Sequence, residues 1–119
     1  MELKQCGHSG LYLSALGLGT LTWGRDTDGP EAHDMLKTFV DAGGNLVECS
    51  PAHGEGIAVD VLSQALSTVG RHRVALAWRG AVRRAGEGAW VSAAGRGDLL
   101  RSLDDALARL DTDYVDMWL

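Results

Sequence analysis

The sequence has no apolar run approaching the roughly 20 residues that a membrane span requires, and its opening, MELKQCGHSG, lacks the apolar stretch of a secretory signal. Those two absences make a cytoplasmic protein without a membrane partner the expectation. There is no block of like charges, and the net charge is only −5, which indicates neither a nucleic-acid footprint nor a polybasic membrane patch. Small molecules or other proteins are the expected partners. Cysteine is scarce. Cys6 and Cys49 stand too far apart for a metal-ligand or redox motif, so both are expected to be free, small and buried.

What is present is a globular composition, 45% hydrophobic and 23% charged over 119 residues, which suits a single domain. Residues 10–19, GLYLSALGLG, mix β-formers with glycine and predict a short hairpin arm leading into a buried strand at Ala15 to Gly19. After the loop LTWGRDTD, Asp28 is placed to cap a helix with Pro30 and Glu31 in its first turn. Ala32, Met35, Leu36, Phe39 and Val40 recur there at helical spacing, and Gly43 and Gly44 stop it. Asn45 to Cys49 reads as a short buried strand. A second helix carries Ala58, Val61, Leu62, Ala65, Leu66 and Val69 as one stripe and ends at Gly70.

Val74 to Trp78 is a further buried strand, and residues 80–97 form a long loop whose structure the pattern leaves open. Asp98 is expected to cap a third helix running to about Leu110, with Leu99, Leu100, Leu103, Leu107 and Leu110 on one side. Tyr114 to Leu119 reads as a fourth strand. Strand and helix alternating three times, and ending on a strand, predict α/β architecture with a parallel sheet. An open nucleotide-binding sheet would carry its glycine-rich turn directly between first strand and first helix. The only candidate, GLGT, lies well before Pro30, so part of a barrel is the better reading.

Three blocks, SGLYLSALGLGTLTWG, DAGGNLVECSPAHG and LLRSLDDALARLDTDYVDMW, together resemble the aldo-keto reductase family across nearly the whole chain. The resemblance implies that residues 1–119 form one partial domain, the N-terminal half of a (β/α)8 TIM barrel, with four parallel strands, three helices and a short N-terminal hairpin. It also implies NADP(H) at the C-terminal ends of the strands, where barrel enzymes keep their chemistry, and a small carbonyl compound as substrate. Family members reduce aldehydes and ketones by hydride transfer while a tyrosine, assisted by lysine, aspartate and histidine, supplies a proton.

On this sequence the family's aspartate falls on Glu48, its tyrosine on His53, its lysine on Arg79 and its histidine just beyond Leu119. The cofactor-facing positions fall on Gly19, Thr20 and Leu21. Glu48 keeps a carboxylate but adds a methylene, and Arg79 keeps its charge on a planar fork that cannot be tuned by deprotonation. His53 remains a possible acid, because imidazole titrates near neutrality. Placement matters greatly to catalysis, about a hundredfold in rate for ~1 Å, so a site that is silent or impaired is the expectation.

Structural readings stand beside these. Glu48 and Arg79 can be an ion pair at the barrel mouth, His53 an ordinary loop histidine, and Thr20 a hydrogen-bond partner for the strand end. Glu48, Cys49 and His53 make a poor metal site, since consecutive strand residues point to opposite faces. The four tryptophans suit core or surface cover as well as a pocket. Finally, a full barrel takes roughly 250 residues. The sequence therefore suggests a fragment of a longer protein, or a chain whose open sheet edges are covered by a second copy or a complementary chain. Cofactor binding is expected only once the barrel is complete.

Overall fold

A computed structural model describes residues 1–119. The first two strands, β1 (Leu3–Gln5) and β2 (Tyr12–Ser14), pair antiparallel as a hairpin. The arm therefore begins earlier than expected, its turn falling on the CGHSG segment. Then come β3 (Gly17–Gly19), α1 (Gly29–Asp41), β4 (Leu46–Cys49), α2 (Ala58–Val69) and β5 (Ala75–Trp78). A second hairpin, β6 (Val82–Ala85) with β7 (Ala89–Ser92), leads to α3 (Arg96–Leu110) and the two-residue β8 (Met117–Trp118). β3, β4, β5 and β8 form one parallel sheet in that order, leaving β3 and β8 as its outer strands.

The period of two along each strand decides where the core sits. Leu18, Val47, Cys49, Leu76 and Trp78 all face the helices, packing with Leu36 and Val40 of α1, Leu62 and Leu66 of α2, and Ala106 and Leu110 of α3. The opposite face carries Gly17, Gly19, Leu46, Glu48, Ala75 and Ala77, which pair across the sheet in register. That face is lined mostly by small side chains.

Four expectations about extent need correction. The first parallel strand is not buried: Ala15, Leu16, Gly17 and Gly19 are exposed, because β3 is an outer strand covered on one face only. Asp98 does not cap α3. The helix starts three residues earlier, behind Gly95, and Asp98 sits in its first turn with its carboxylate engaged by Arg101 at 3.0 Å. Leu100 turns to solvent, and the buried positions of α3 are Ala106 and Leu110. The last strand is shorter than Tyr114 to Leu119, although the Asp116 and Leu119 N–H groups extend its pairing with β5. Residues 80–97, left open by the sequence, hold the second hairpin, with Gly86 (φ 62°) in its turn.

The segment before β8 is fixed by one side chain. Arg71, between α2 and β5, donates to the carbonyls of Val74 and Tyr114 and to Thr112 Oγ1, and pairs with Asp116 at 2.8 Å. Its guanidinium also lies 3.9 Å from the centre of the Tyr114 ring, a favourable cation–aromatic distance. Asp116 in turn accepts the backbone N–H of Leu76. Replacing Arg71 with Ala leaves the half-buried Asp116 carboxylate without its cation and the carbonyls of Val74 and Tyr114 without this donor. We expect Arg71→Ala to lower unfolding stability by about 2–3 kcal/mol, with Arg71→Lys recovering less than half because an ammonium cannot fork. Urea unfolding monitored by circular dichroism checks this, and a loss under about 0.5 kcal/mol, typical of a surface substitution, would contradict it.

Candidate active site at the C-terminal ends of the strands

The residues singled out by sequence meet at one end of the sheet. Gly19 ends β3 and lies in register beside Glu48 on β4, which lies beside Ala77 on β5. Arg79 follows β5, its backbone N–H bonded to the Cys49 carbonyl at 2.8 Å. Its Nε donates to Glu48 Oε1 at 3.0 Å, while His53 Nε2 stands 3.8 Å from the same oxygen. On the other side of the ring, His53 Nδ1 is 3.0 Å from Thr20 Oγ1. One line of side chains, Thr20, His53, Glu48 and Arg79, thus joins the ends of three strands.

The loop carrying His53 is held by its own backbone. Ser50 accepts the N–H groups of Ala52 and His53, and Gly54 donates to the Leu21 carbonyl at 3.0 Å. Gly54 (φ 56°) could not be any other residue without a clash, since a Cβ would overlap the Trp23 carbonyl oxygen. This approach, invisible as a motif in HGEG, is what sets His53 beside Thr20.

Electrostatics favour a neutral imidazole. Burial lowers the His53 pKa below its ordinary 6.5; Glu48 opposes that shift and Arg79 adds to it. With the proton on Nε2, the ring presents N–H toward Glu48 and leaves Nδ1 to accept from the Thr20 hydroxyl, the tautomer that suits both neighbours. Thr20 is fully buried, so its hydroxyl faces protein rather than the open mouth. Leu21 is 60% exposed beside it. Cys49 points the other way, into the core, where burial pushes its thiol up to about 11. No three His, Cys, Asp or Glu side chains cluster closely enough to hold a metal ion. Of the tryptophans, Trp23 and Trp78 are core, whereas Trp90 and Trp118 are half-buried.

The family model described as "Aldo/keto reductase family" matches residues 15–119. The chain belongs to that family. Its sheet is accordingly part of a (β/α)8 barrel of the kind its structural neighbours complete. A protein of Oryza sativa named "Probable voltage-gated potassium channel subunit beta" is 31% identical over 98% of this chain and 36% of its own length. A solved structure from Pseudomonas aeruginosa superposes with a TM-score of 0.88 at 31% identity, over 98% of this chain and 46% of that one. The holo form of an aldo-keto reductase from Bacillus halodurans gives 0.86 at 26% identity, over 99% of this chain and 39% of that one. This aldo/keto reductase chain thus spans between a third and a half of the length of these relatives.

Sequence reasoning located Glu48, His53 and Arg79 but missed Thr20 as the partner of His53. Nothing in a lone Gly-Thr pair announces a hydrogen bond to a residue on another loop. It also passed over the second hairpin, whose signal was present: β-formers Val82, Trp90 and Val91 on either side of a Gly86–Gly88 turn.

Two measurements follow. Because folding favours neutral His53, the stability this residue contributes is complete above the unfolded value near 6.5 and is lost as pH falls through that value and the lowered folded one. The melting temperature of the unaltered chain should therefore drop between pH 7.5 and 5.5 more than that of His53→Gln, and equal slopes would refute the assignment. Alkylation at pH 8 should label Cys6 in the native chain while Cys49 reacts only after unfolding; mass spectrometry of the labelled peptides decides it.

Proposed function

We propose that this chain is the N-terminal part of an NADP(H)-dependent carbonyl reductase barrel whose proton donor has been replaced by His53, so that turnover is impaired at neutral pH. The observation that carries this reading is the convergence of His53 and Arg79 on Glu48 at the C-terminal ends of β4 and β5. The positions of Gly19 and Leu21 fit a flat nicotinamide. Gly19 has no side chain, and even a Cβ there would stand 3.9 Å from Glu48 Oε2. Leu21 offers an exposed apolar edge. Thr20 does not fit a cofactor-binding role, because its buried hydroxyl is spent on His53. Gly19 and Leu21 would thus hold the cofactor, and Thr20 would hold the imidazole.

When bound, the nicotinamide supplies a hydride. As the carbonyl carbon of a substrate accepts it, the carbonyl oxygen develops alkoxide charge, which a nearby acid and a positive field stabilise. Arg79 provides the field, weakened because its side chain is 61% exposed and screened by solvent. Neutral His53 can hydrogen-bond that oxygen through Nε2–H, but only its imidazolium form can hand over a proton and remain a stable species. Since burial holds the ring below its ordinary value, the imidazolium is scarce at pH 7. The chemistry should therefore be slow at neutrality and quicken as pH falls below 6.5.

The test joins this chain to the C-terminal portion of a family barrel and measures NADPH fluorescence and aldehyde reduction between pH 5 and 8. We expect NADPH quenching, little turnover at pH 7.5 and a rise toward pH 5.5 that His53→Gln abolishes. Converting Glu48→Asp, His53→Tyr and Arg79→Lys together should raise the neutral rate by about a hundredfold or more. Failure to quench NADPH, or brisk turnover by the unaltered site at pH 7.5, overturns the proposal.

A second reading is favoured by the Oryza sativa relative, which is named as a probable channel subunit. The chain could serve as a non-catalytic binding or regulatory subunit, or as one half of a heteromeric barrel, with a second copy or a complementary chain covering the free edges of β3 and β8. Under that reading the triple conversion restores no activity, and the purified chain recovers a stable partner rather than persisting as a monomer.

A further inference from the structure

The turn that carries His53 is held by three different elements, one for each residue that follows it. Gly54 (φ 56°), Glu55 (φ 57°) and Gly56 (φ 91°) are all left-handed, and for Glu55 this is a conformation that residues with side chains seldom adopt. The Gly54 N–H donates to the Leu21 carbonyl at 3.0 Å. The Gly56 carbonyl accepts from Arg109 of α3 at 2.6 Å, a guanidinium that also grips Asp60 in the first turn of α2. The Glu55 carbonyl accepts from Arg84 of β6 at 3.0 Å.

Arg84 is itself fixed. It stands opposite Trp90 in the register of the second hairpin, its guanidinium 4.8 Å from the centre of that ring and within cation–aromatic range. The base of the hairpin is closed by the Ala93 N–H on the Ala81 carbonyl at 2.7 Å, and Gly80 lies so close to the Trp118 ring that a Cβ there would overlap it. The hairpin thus rests on β8 at its base and reaches the His53 turn from its first strand. Arg84 also lies 3.4 Å from Glu55 Oε2, but that side chain is 66% exposed and such a pair adds little. The bond to the main chain is the one that fixes the turn. Arg83, the preceding residue of β6, approaches Asp98 instead.

We propose that Arg84 is a positioning residue for His53: by holding the Glu55 carbonyl in its left-handed turn, it keeps the imidazole packed between Thr20 and Glu48. An arginine suits the task, since its planar fork can donate along its edge while its face lies against an aromatic ring. The catalytic meaning of this role rests on the reading of His53 as the replacement proton donor, whereas the placement of the ring is measurable without turnover.

The experiment follows the titration of His53 in the full chain by ¹H–¹³C NMR, with His53→Gln assigning its resonance. Glu48 and Arg79 are the charges that act on the ring, and burial is what lowers its proton affinity most, so removal of Arg84 is felt through burial. We expect Arg84→Met, which keeps a stem against Trp90 but no donor, to raise the His53 midpoint toward the ordinary 6.5. Arg84→Lys, which still donates to the carbonyl, should bring it at least halfway back. Arg83→Met, which removes the same charge from the preceding residue, should leave it in place. An unmoved midpoint in Arg84→Met, or an equal rise in Arg84→Lys or Arg83→Met, overturns the proposal. Should Arg84→Met fail to fold, the unaltered chain decides: the ¹⁵N signals of the Arg84 Nη groups should show restricted rotation about Cζ–Nη, and free rotation overturns the proposal as well. These outcomes are independent of NADPH quenching and aldehyde reduction, which test the reductase reading itself.

Discussion

One constraint governs this structure: five strand residues must turn the same way. Leu18, Val47, Cys49, Leu76 and Trp78 present a single apolar face, and three helices exist as ordered elements chiefly because they cover it. A shift of one residue in β4 would send Glu48 into that core and Val47 out of it. The same alternation that stabilises the fold therefore delivers the carboxylate to the opposite face. At the end of β4 the two roles meet in adjacent residues, Cys49 locked inward and Glu48 outward.

Much of this was legible in the sequence because helices and strands announce themselves by period. The stripe of α2, the Asp28 cap of α1 with its Glu31 N–H bond, and the apolar strands β4 and β5 were all readable. Less legible were features decided by pairing at a distance. Asp98 has the chemistry of a helix cap, yet a guanidinium three residues on claims its carboxylate. Leu16 looks like core but belongs to the approach to an outer strand, where burial depends on what lies beside it. The site shows the same division. Its charges could be placed from the family resemblance, whereas the Thr20–His53 bond depends on a backbone approach at Gly54 that no residue pattern encodes.

The site keeps the outline of a charge arrangement while changing its chemistry. A carboxylate, a proton-bearing ring and a fixed cation stand together, but the ring is tied through Thr20 to the strand that ends in Gly19. That tie makes the imidazole part of the framework. Its position is better defined than a surface histidine's, and its burial sets its proton affinity. Order is thus gained, and the protonated form of the ring lost, by the same act of packing.

The parallel sheet has one further property. Its strands are arranged in space in the order in which they occur along the chain, β3, β4, β5 and β8, with no later strand inserted between earlier ones. Each can be laid against its predecessor as synthesis proceeds, and nothing already formed has to open to admit it. The Arg71 fork then acts as a latch at the growing edge, able to engage only when Tyr114 and Asp116 have emerged. Drawn apart from its two ends, such a sheet would come undone like a zip fastener, releasing β8 only after that latch had given way.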